Sequence, residues 1–300
     1  MRLATARLTE PTGARTAAVR VEGDILVELP FADVGALLAT PGWPAAAAAD
    51  GPEHARAAAV FAPVVPRPSK IVCVGLNYRN HIQEMGRDLP EHPTLFAKFA
   101  DCLVGATDDV VRPAETAEFD WEVELAVVVG PADAVPVRRA DERAAIAAIA
   151  GFTVLNDLSC RDWQFRTREW LQGKAWDSTT PVGPWLVTPD EVGGVRPALT
   201  VTCSVDGVVM QSDSTGDLLF DPVDLVRYVS TVVRLNPGDI IATGTPGGVG
   251  HARKPPVYLD GGQLLITEIE GIGRLANRVV NDVAVAGADT VTGVGSGARA

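Results

Sequence analysis

Two glutamates spaced two apart, Glu122 and Glu124 in Asp120-Trp-Glu-Val-Glu-Leu-Ala-Val-Val-Val-Gly130, are the residues whose type and spacing speak first for chemistry. In a β-strand, residues i and i+2 share a face. Both carboxylates then project together while Val123 and Leu125 face the other way. Adjacent carboxylates repel unless something positive lies between them, and hard divalent cations favour such oxygen donors. The alternative is the solvated polar face of an edge strand, which sits badly with the apolar continuation through Val129. A third carboxylate, Asp157, closes the apolar run 151–155. It can complete a facial ligand set that keeps positions open for water and substrate, or it can cap a helix that follows.

Other groups gather around these in the sequence. Arg161 and Gln164 lie four and seven residues beyond Asp157, on one face if a helix starts there. An arginine fork matches a carboxylate bidentately. His81 and Glu84 stand three apart directly after the apolar run 70–75. On one helical turn a carboxylate orients an imidazole and raises its basicity, as deprotonation of water requires; a surface histidine with a helical salt bridge is the plainer reading. Lys174, one of four lysines, follows Gly173 among aromatics and is either a substrate-facing cation or a solvated side chain. The stretch 236–250, Asn-Pro-Gly-Asp-Ile-Ile-Ala-Thr-Gly-Thr-Pro-Gly-Gly-Val-Gly, reads as a turn, a strand and a permissive loop. It lacks the Gly-Lys-Ser/Thr ending of a phosphate loop. His54, His92 and His251 lie near Pro or Gly and read as loop residues.

These groups need strands to hold them. Short alternating runs at 2–8, 16–21 and 24–29, then apolar runs at 70–75, 122–129, 151–155, 199–205, 239–243 and 263–269, predict strands. Helical spacing is confined to 31–38, 140–150, 162–171 and 223–233. Regular strand–helix alternation is absent, so the expectation is a β-rich α+β protein rather than a doubly wound sheet. The proline cluster at 63–68 marks a boundary between a small N-terminal domain, 1–66, and a catalytic domain, 69–283, with a loosely ordered tail at 284–300.

The bulk properties set the class. The chain has 300 residues and a formal net charge of −12, which disfavours nucleic acid as a partner. No apolar run reaches the roughly 18–20 residues of a membrane span, and the first residues carry no secretory h-region, so the default location is the cytoplasm. Cys73, Cys102, Cys160 and Cys203 form no Cys-x-x-Cys pair and read as small buried apolar residues.

Taken in order, Val74-Gly-Leu-Asn-Tyr-Arg-Asn-His81, Asp120-Trp-Glu-Val-Glu124, Asn156-Asp157 with Arg161-Asp-Trp-Gln164, Gly173-Lys174 and Gly238-Asp-Ile-Ile-Ala-Thr-Gly-Thr-Pro246 resemble the fumarylacetoacetate hydrolase family over about residues 70–280. The resemblance implies a mixed β-roll catalytic domain behind a smaller N-terminal one, usually in a homodimer. It implies Glu122, Glu124 and Asp157 as ligands of Mg²⁺ or Mn²⁺, and His81 with Glu84 as a water-activating pair on a closing lid. Lys174 and Gln164 match groups at the substrate's oxo-acid end, Arg161 a further polar site residue, and Thr245 a threonine beside the substrate carboxylate. Asn80 departs from the aspartate often found before the histidine, which leaves the strength of the base open.

The activity expected on this basis is metal-dependent hydrolysis of a carbon–carbon bond in an acylpyruvate-type β-diketo acid, such as fumarylpyruvate, releasing pyruvate and a carboxylic acid. The alternatives are oxaloacetate decarboxylation or isomerisation of a 2-hydroxy-diene dioate on the same fold, and a non-catalytic small-molecule-binding protein. The partner expected is a small 2-oxo acid, with neither nucleic acid nor membrane.

Overall fold

The run 123–129 alternates nothing: every residue from Val123 to Val129 is apolar or buried, as a strand covered on both faces requires. The computed structural model, which describes residues 1–282 apart from 11, 12, 85 and 87, places Val123–Val129 inside a large mixed sheet. It pairs antiparallel with Ile149–Asn156 on one side and Ile240–Ala242 on the other. Beyond Ile149–Asn156 come Thr180–Val187, Arg2–Glu10, Gly13–Glu22, Ile25–Glu28 and Glu53–Ala55; beyond Ile240–Ala242 come Ile71–Gly75 and Thr94–Lys98. A second sheet of Val208–Ser214, Thr200–Val205, Leu264–Ile269, Gly273–Asn281 and Val110–Arg112 covers one face. The architecture is the mixed β-roll of an α+β protein.

Strand parity divides the core. Val123, Leu125, Val127 and Val129 pack with Val201, Cys203, Leu265, Leu275 and Val279 of the second sheet. Ala126 and Val128 face the other way, into a cluster with Leu37, Leu38, Trp43, Val64 and Val65. Glu124 has the parity of Ala126, so it leaves its strand on the side away from the second sheet. Helices serve as cover and are capped by aspartates: Asp33 for Val34–Leu38, Asp141 for Glu142–Ala148 and Asp221 for Pro222–Val232.

Two expectations change. The single helix read at 162–171 is two short ones, Arg161–Gln164 and Leu171–Lys174. The second packs on the first so closely that a Cβ at Gly173 would lie 2.4 Å from the Gln164 Cβ. The chain must break to make that return, and glycine permits the contact. Thr94–Lys98, Thr180–Val187, Val208–Ser214 and Gly273–Asn281 are strands that the patterns did not single out. All four cysteines are buried and free. The tail expected at 284–300 lies outside the described residues.

The N-terminal strands join the rest through one sheet, with Arg2 opposite Val187 and Leu3 opposite Leu186. Arg7 adds a bidentate pair to Asp108, 2.6 Å for each bond. Burial pushes the Asp108 carboxyl up, but Arg7 and the Gly105 N–H outweigh it and hold it below its usual value. A depressed carboxylate stabilises the fold above its unfolded pKa of about 3.9 and loses that contribution as pH falls through the folded value. Replacing Arg7 by Met is expected to cost about 1 kcal/mol at pH 7, since the pair is partly exposed. In urea unfolding the difference from wild type should shrink near pH 3; a difference independent of pH would contradict the pairing.

Candidate active site

Register brings the three carboxylates together. Val123 stands opposite Asn156, so Glu122 meets Asp157 at the end of the ladder, and the Asp157 N–H donates to the Glu122 carbonyl at 2.9 Å. On the other flank Ala126 stands opposite Ala242, which places Gly244 across from Glu124, and its N–H donates to Glu124 Oε2 at 2.8 Å. A Cβ on Gly244, whose φ is +99°, would lie 3.0 Å from both the Asn77 Cβ and the Val74 carbonyl oxygen. Only glycine lets this backbone come so near. Each of Glu122, Glu124 and Asp157 offers an oxygen within 4.8 Å of the others, and all three are buried. Glu122 is 7% and Glu124 1% exposed, so they do not form the solvated face of an edge strand. Nor does Asp157 cap a helix: Cys160 holds that position.

Cations meet two of these carboxylates, Glu122 and Asp157. Lys174 Nζ donates to Glu122 Oε2 at 2.7 Å and to Asp157 Oδ2 at 2.8 Å. Lys98 Nζ donates to Asp157 Oδ1 at 2.6 Å. Arg161 Nη2 lies 2.6 Å from Glu122 Oε1, its Nε donates to Asp120 Oδ2 at 2.8 Å, and its Nη1 donates to Gln164 Oε1 at 2.8 Å. Burial pushes the Asp157 carboxyl up, yet Lys174 and Lys98 outweigh it and hold it low. Burial likewise weakens the Lys174 ammonium, but Asp157 and Glu122 reverse this and raise its pKa. Glu124 has no such partner: burial, Asp157 and Glu122 all push its carboxyl well above the usual range.

That contrast tests whether a divalent ion suits the site. Three hard oxygen donors converge, and one carboxylate, Glu124, has a backbone N–H and the nearby charge of Lys174 to steady it but no ion-pair contact among the described residues. The residues fit a cation such as Mg²⁺ or Mn²⁺.

A second layer of buried polar groups fixes the first. The Asn77 side chain donates to the Phe220 carbonyl at 3.0 Å and the Thr243 carbonyl at 2.7 Å, and accepts from the Phe220 N–H at 2.8 Å. Asn156 accepts from the Glu122 N–H at 2.9 Å and donates to Thr267 Oγ1 at 2.8 Å. Gln211 accepts from the Val123 N–H at 3.0 Å and donates to Thr245 Oγ1 at 2.8 Å. Asp120 gathers the N–H groups of Trp121, Gly250 and His251 as well as Arg161.

Glu122, Glu124, Arg161, Gln164, Lys174 and Thr245 line one cavity of about 160 Å³, together with Phe96, Trp170 and Val249. His81 and Glu84 both lie on the helix Arg79–Glu84, which Arg79 ties to the carbonyls of Asp217, Leu218 and Leu219; their side chains lie outside the described residues. His251, read from the sequence as a loop residue, lines the same cavity because Asp120 folds its loop inward. Lys98, Asp120, Asn77 and Gln211 received no role from the sequence. Asp120 shared the parity of Glu122 and Glu124, and Lys98 was one of only four lysines; Gln211 carried no local signal.

Comparison with known proteins agrees with this geometry. Residues 70–280 match the family described as fumarylacetoacetate (FAA) hydrolase C-terminal. The chain is 44% identical over 236 residues to the rat protein named oxaloacetate tautomerase Fahd2a, mitochondrial, covering 78% of this chain and 74% of that one. The structure resembles 2-hydroxyhepta-2,4-diene-1,7-dioate isomerase from Mycobacterium marinum at a TM-score of 0.75 and 30% identity, over 94% of this chain and 98% of that one. It also resembles fumarylpyruvate hydrolase from Pseudomonas aeruginosa, solved with Mn²⁺ and pyruvate, at a TM-score of 0.63 and 32% identity, over 71% and 90% of the two chains. The cytoplasmic location expected from the sequence is corrected by these relatives, since the rat tautomerase and its bovine and human counterparts are mitochondrial. Among the described residues, no helix is long and apolar enough to cross a membrane. The chain belongs to the fumarylacetoacetate hydrolase family.

Proposed function

We propose that this protein interconverts the enol and keto forms of a small 2-oxo dicarboxylic acid of the oxaloacetate class, with a divalent ion held by Glu122, Glu124 and Asp157. The observation that carries the reading is the Lys174 ammonium bonded to two of three clustered buried carboxylates at the wall of a 160 Å³ cavity. That volume suits an acid smaller than the drug-sized ligands of roughly 300–1,000 Å³ pockets. The relatives named as oxaloacetate tautomerases, at 44–46% identity, weigh for tautomerisation over the hydrolysis that the sequence first suggested.

Tautomerisation removes a proton from the enol oxygen and adds one at the neighbouring carbon. No bond between heavy atoms breaks, and no water need be positioned for attack. What the reaction requires is a place where an enolate is stable and a group that moves the proton. A bound divalent ion supplies positive charge at the oxo-acid end and so favours the enolate. Lys174, held as an ammonium by Asp157 and Glu122, adds a second positive charge at the oxo oxygen. Arg161, kept rigid by Asp120 and Gln164, is assigned to orient the acid, and Gln164 and Thr245 to hold its carboxylate. His81 is assigned the proton at carbon, with Glu84 one helical turn on to orient it. Dimerisation, implied by the family, belongs to the same reading and is open to sedimentation analysis.

A second reading, hydrolysis of an acylpyruvate, keeps support from the likeness to fumarylpyruvate hydrolase and from His81 and Glu84 sharing a helix. The two differ in product. Stopped-flow absorbance should follow accelerated loss of the oxaloacetate enol with Mg²⁺ or Mn²⁺, abolished by chelator, with no pyruvate formed above the rate of the same metal and acid without enzyme. Pyruvate release from acylpyruvates without any effect on the enol would establish the hydrolase instead.

Two substitutions probe the roles. Lys174→Met should lower kcat by about 100- to 1,000-fold, as loss of an oxyanion-stabilising donor does. His81→Ala should abolish enol conversion; a variant that keeps wild-type rates would remove His81 from the mechanism.

A further inference from the structure

Resting on the proposed substrate class, the geometry points to His251 as the residue that recognises the far carboxylate of the acid and so selects dicarboxylic over monocarboxylic substrates. The cavity has a buried end and an open one. Glu122, Glu124, Arg161 and Lys174 form the buried end, and all four are paired within the protein. His251, with its side chain 42% exposed, stands at the opening together with Phe165 and Ala252. The remaining wall is mostly apolar: Val74, Leu76, Phe96, Trp170 and Val249. Among the described ionisable residues lining the cavity, His251 is the one with a ring nitrogen left unengaged.

Its placement is built rather than incidental. The His251 backbone N–H donates to Asp120 Oδ2 at 3.0 Å, the same oxygen that receives Arg161 Nε. One buried carboxylate therefore fixes both the cation at the inner end and the imidazole at the outer. The ring leans on Phe165, with centroids 5.1 Å apart. Nδ1 lies 3.0 Å from the Tyr258 hydroxyl and 3.9 Å from Glu118 Oε2. In the tautomer whose Nδ1 accepts from the Tyr258 hydroxyl, Nε2 carries the ring proton. That N–H has no partner among the described residues and matches a carboxylate entering the opening. Among the described residues, nothing else at the open end of the cavity offers a charge-assisted donor.

The test compares selectivity rather than rate. Wild type, His251→Ala and His251→Gln are assayed with oxaloacetate against acetylpyruvate for enol conversion, and with fumarylpyruvate against acetylpyruvate for pyruvate release. In whichever activity the protein shows, the dicarboxylate-to-monocarboxylate ratio of kcat/KM should fall by about tenfold or more in His251→Ala, through KM, because a hydrogen bond to a charged group is lost. His251→Gln, which keeps a donor, should recover part of it. A ratio within about twofold of wild type, or an equal fall in kcat for both acids, would overturn the assignment. Because the ratio is read in either activity, a protein that proves to be a hydrolase refutes the tautomerase reading while still deciding the role of His251.

Discussion

Burying four carboxylates inside a β-roll is the constraint around which this molecule is organised. Asp120, Glu122, Glu124 and Asp157 all lie in the interior, where an unpaired charge costs several kcal/mol. Lys98, Lys174 and Arg161 are buried with them and make the short contacts that hold three of the four. Glu124 is the remainder. Fully ionised, the cluster carries one negative charge more than positive. A divalent ion turns that deficit into an excess of one, which a single substrate carboxylate neutralises. The electrostatics that disfavour the empty cluster thus favour the ternary one.

The sheets meet this constraint by register. Antiparallel pairing on both sides of Val123–Val129 places Asp157 beside Glu122 and the Gly244 N–H beside Glu124. A one-residue slip would turn the glutamates into the apolar core shared with the second sheet. Around the cluster, asparagine, glutamine and aspartate side chains satisfy backbone groups at the strand ends, so the ligands are held by a network with little freedom to relax. Asp120 extends that network outward, joining Arg161 to the loop that carries His251. The inner and outer ends of the cavity are therefore positioned by the same carboxylate.

Much of this was legible in the sequence because it depends on local periodicity. The i, i+2 glutamates, the carboxylate ending an apolar run and the Gly-Lys pair each carry a short-range signal, and the family resemblance rests on the same residues. Glu122, Glu124, Arg161, Gln164, Lys174 and Thr245 do line one cavity, and Asp157 stands behind it, bonded to Lys174. What stayed hidden depends on tertiary closure. Lys98 reaches Asp157 only because Thr94–Lys98 pairs with Ile71–Gly75. Gln211 reaches the site from a different sheet. His251 is the loop residue its sequence suggests, but nothing near it in the chain shows that Asp120, more than a hundred residues away, draws that loop inward to the cavity. The 162–171 segment read as one helix because its break serves a contact at Gly173 that periodicity does not encode. The choice of reaction was not legible either: hydrolysis, decarboxylation and tautomerisation all use the same enolate-stabilising groups.

The central claim is that the carboxylate cluster is built for a divalent ion, and Mn²⁺ titration of the chelator-treated protein tests it most directly. Calorimetry or electron paramagnetic resonance should find one Mn²⁺ bound per chain, and Glu124→Gln should weaken that binding by more than about 100-fold, beyond the loss typical of groups that only support a ligand. Absence of binding by the wild-type chain, or equal affinity in the variant, would contradict the account.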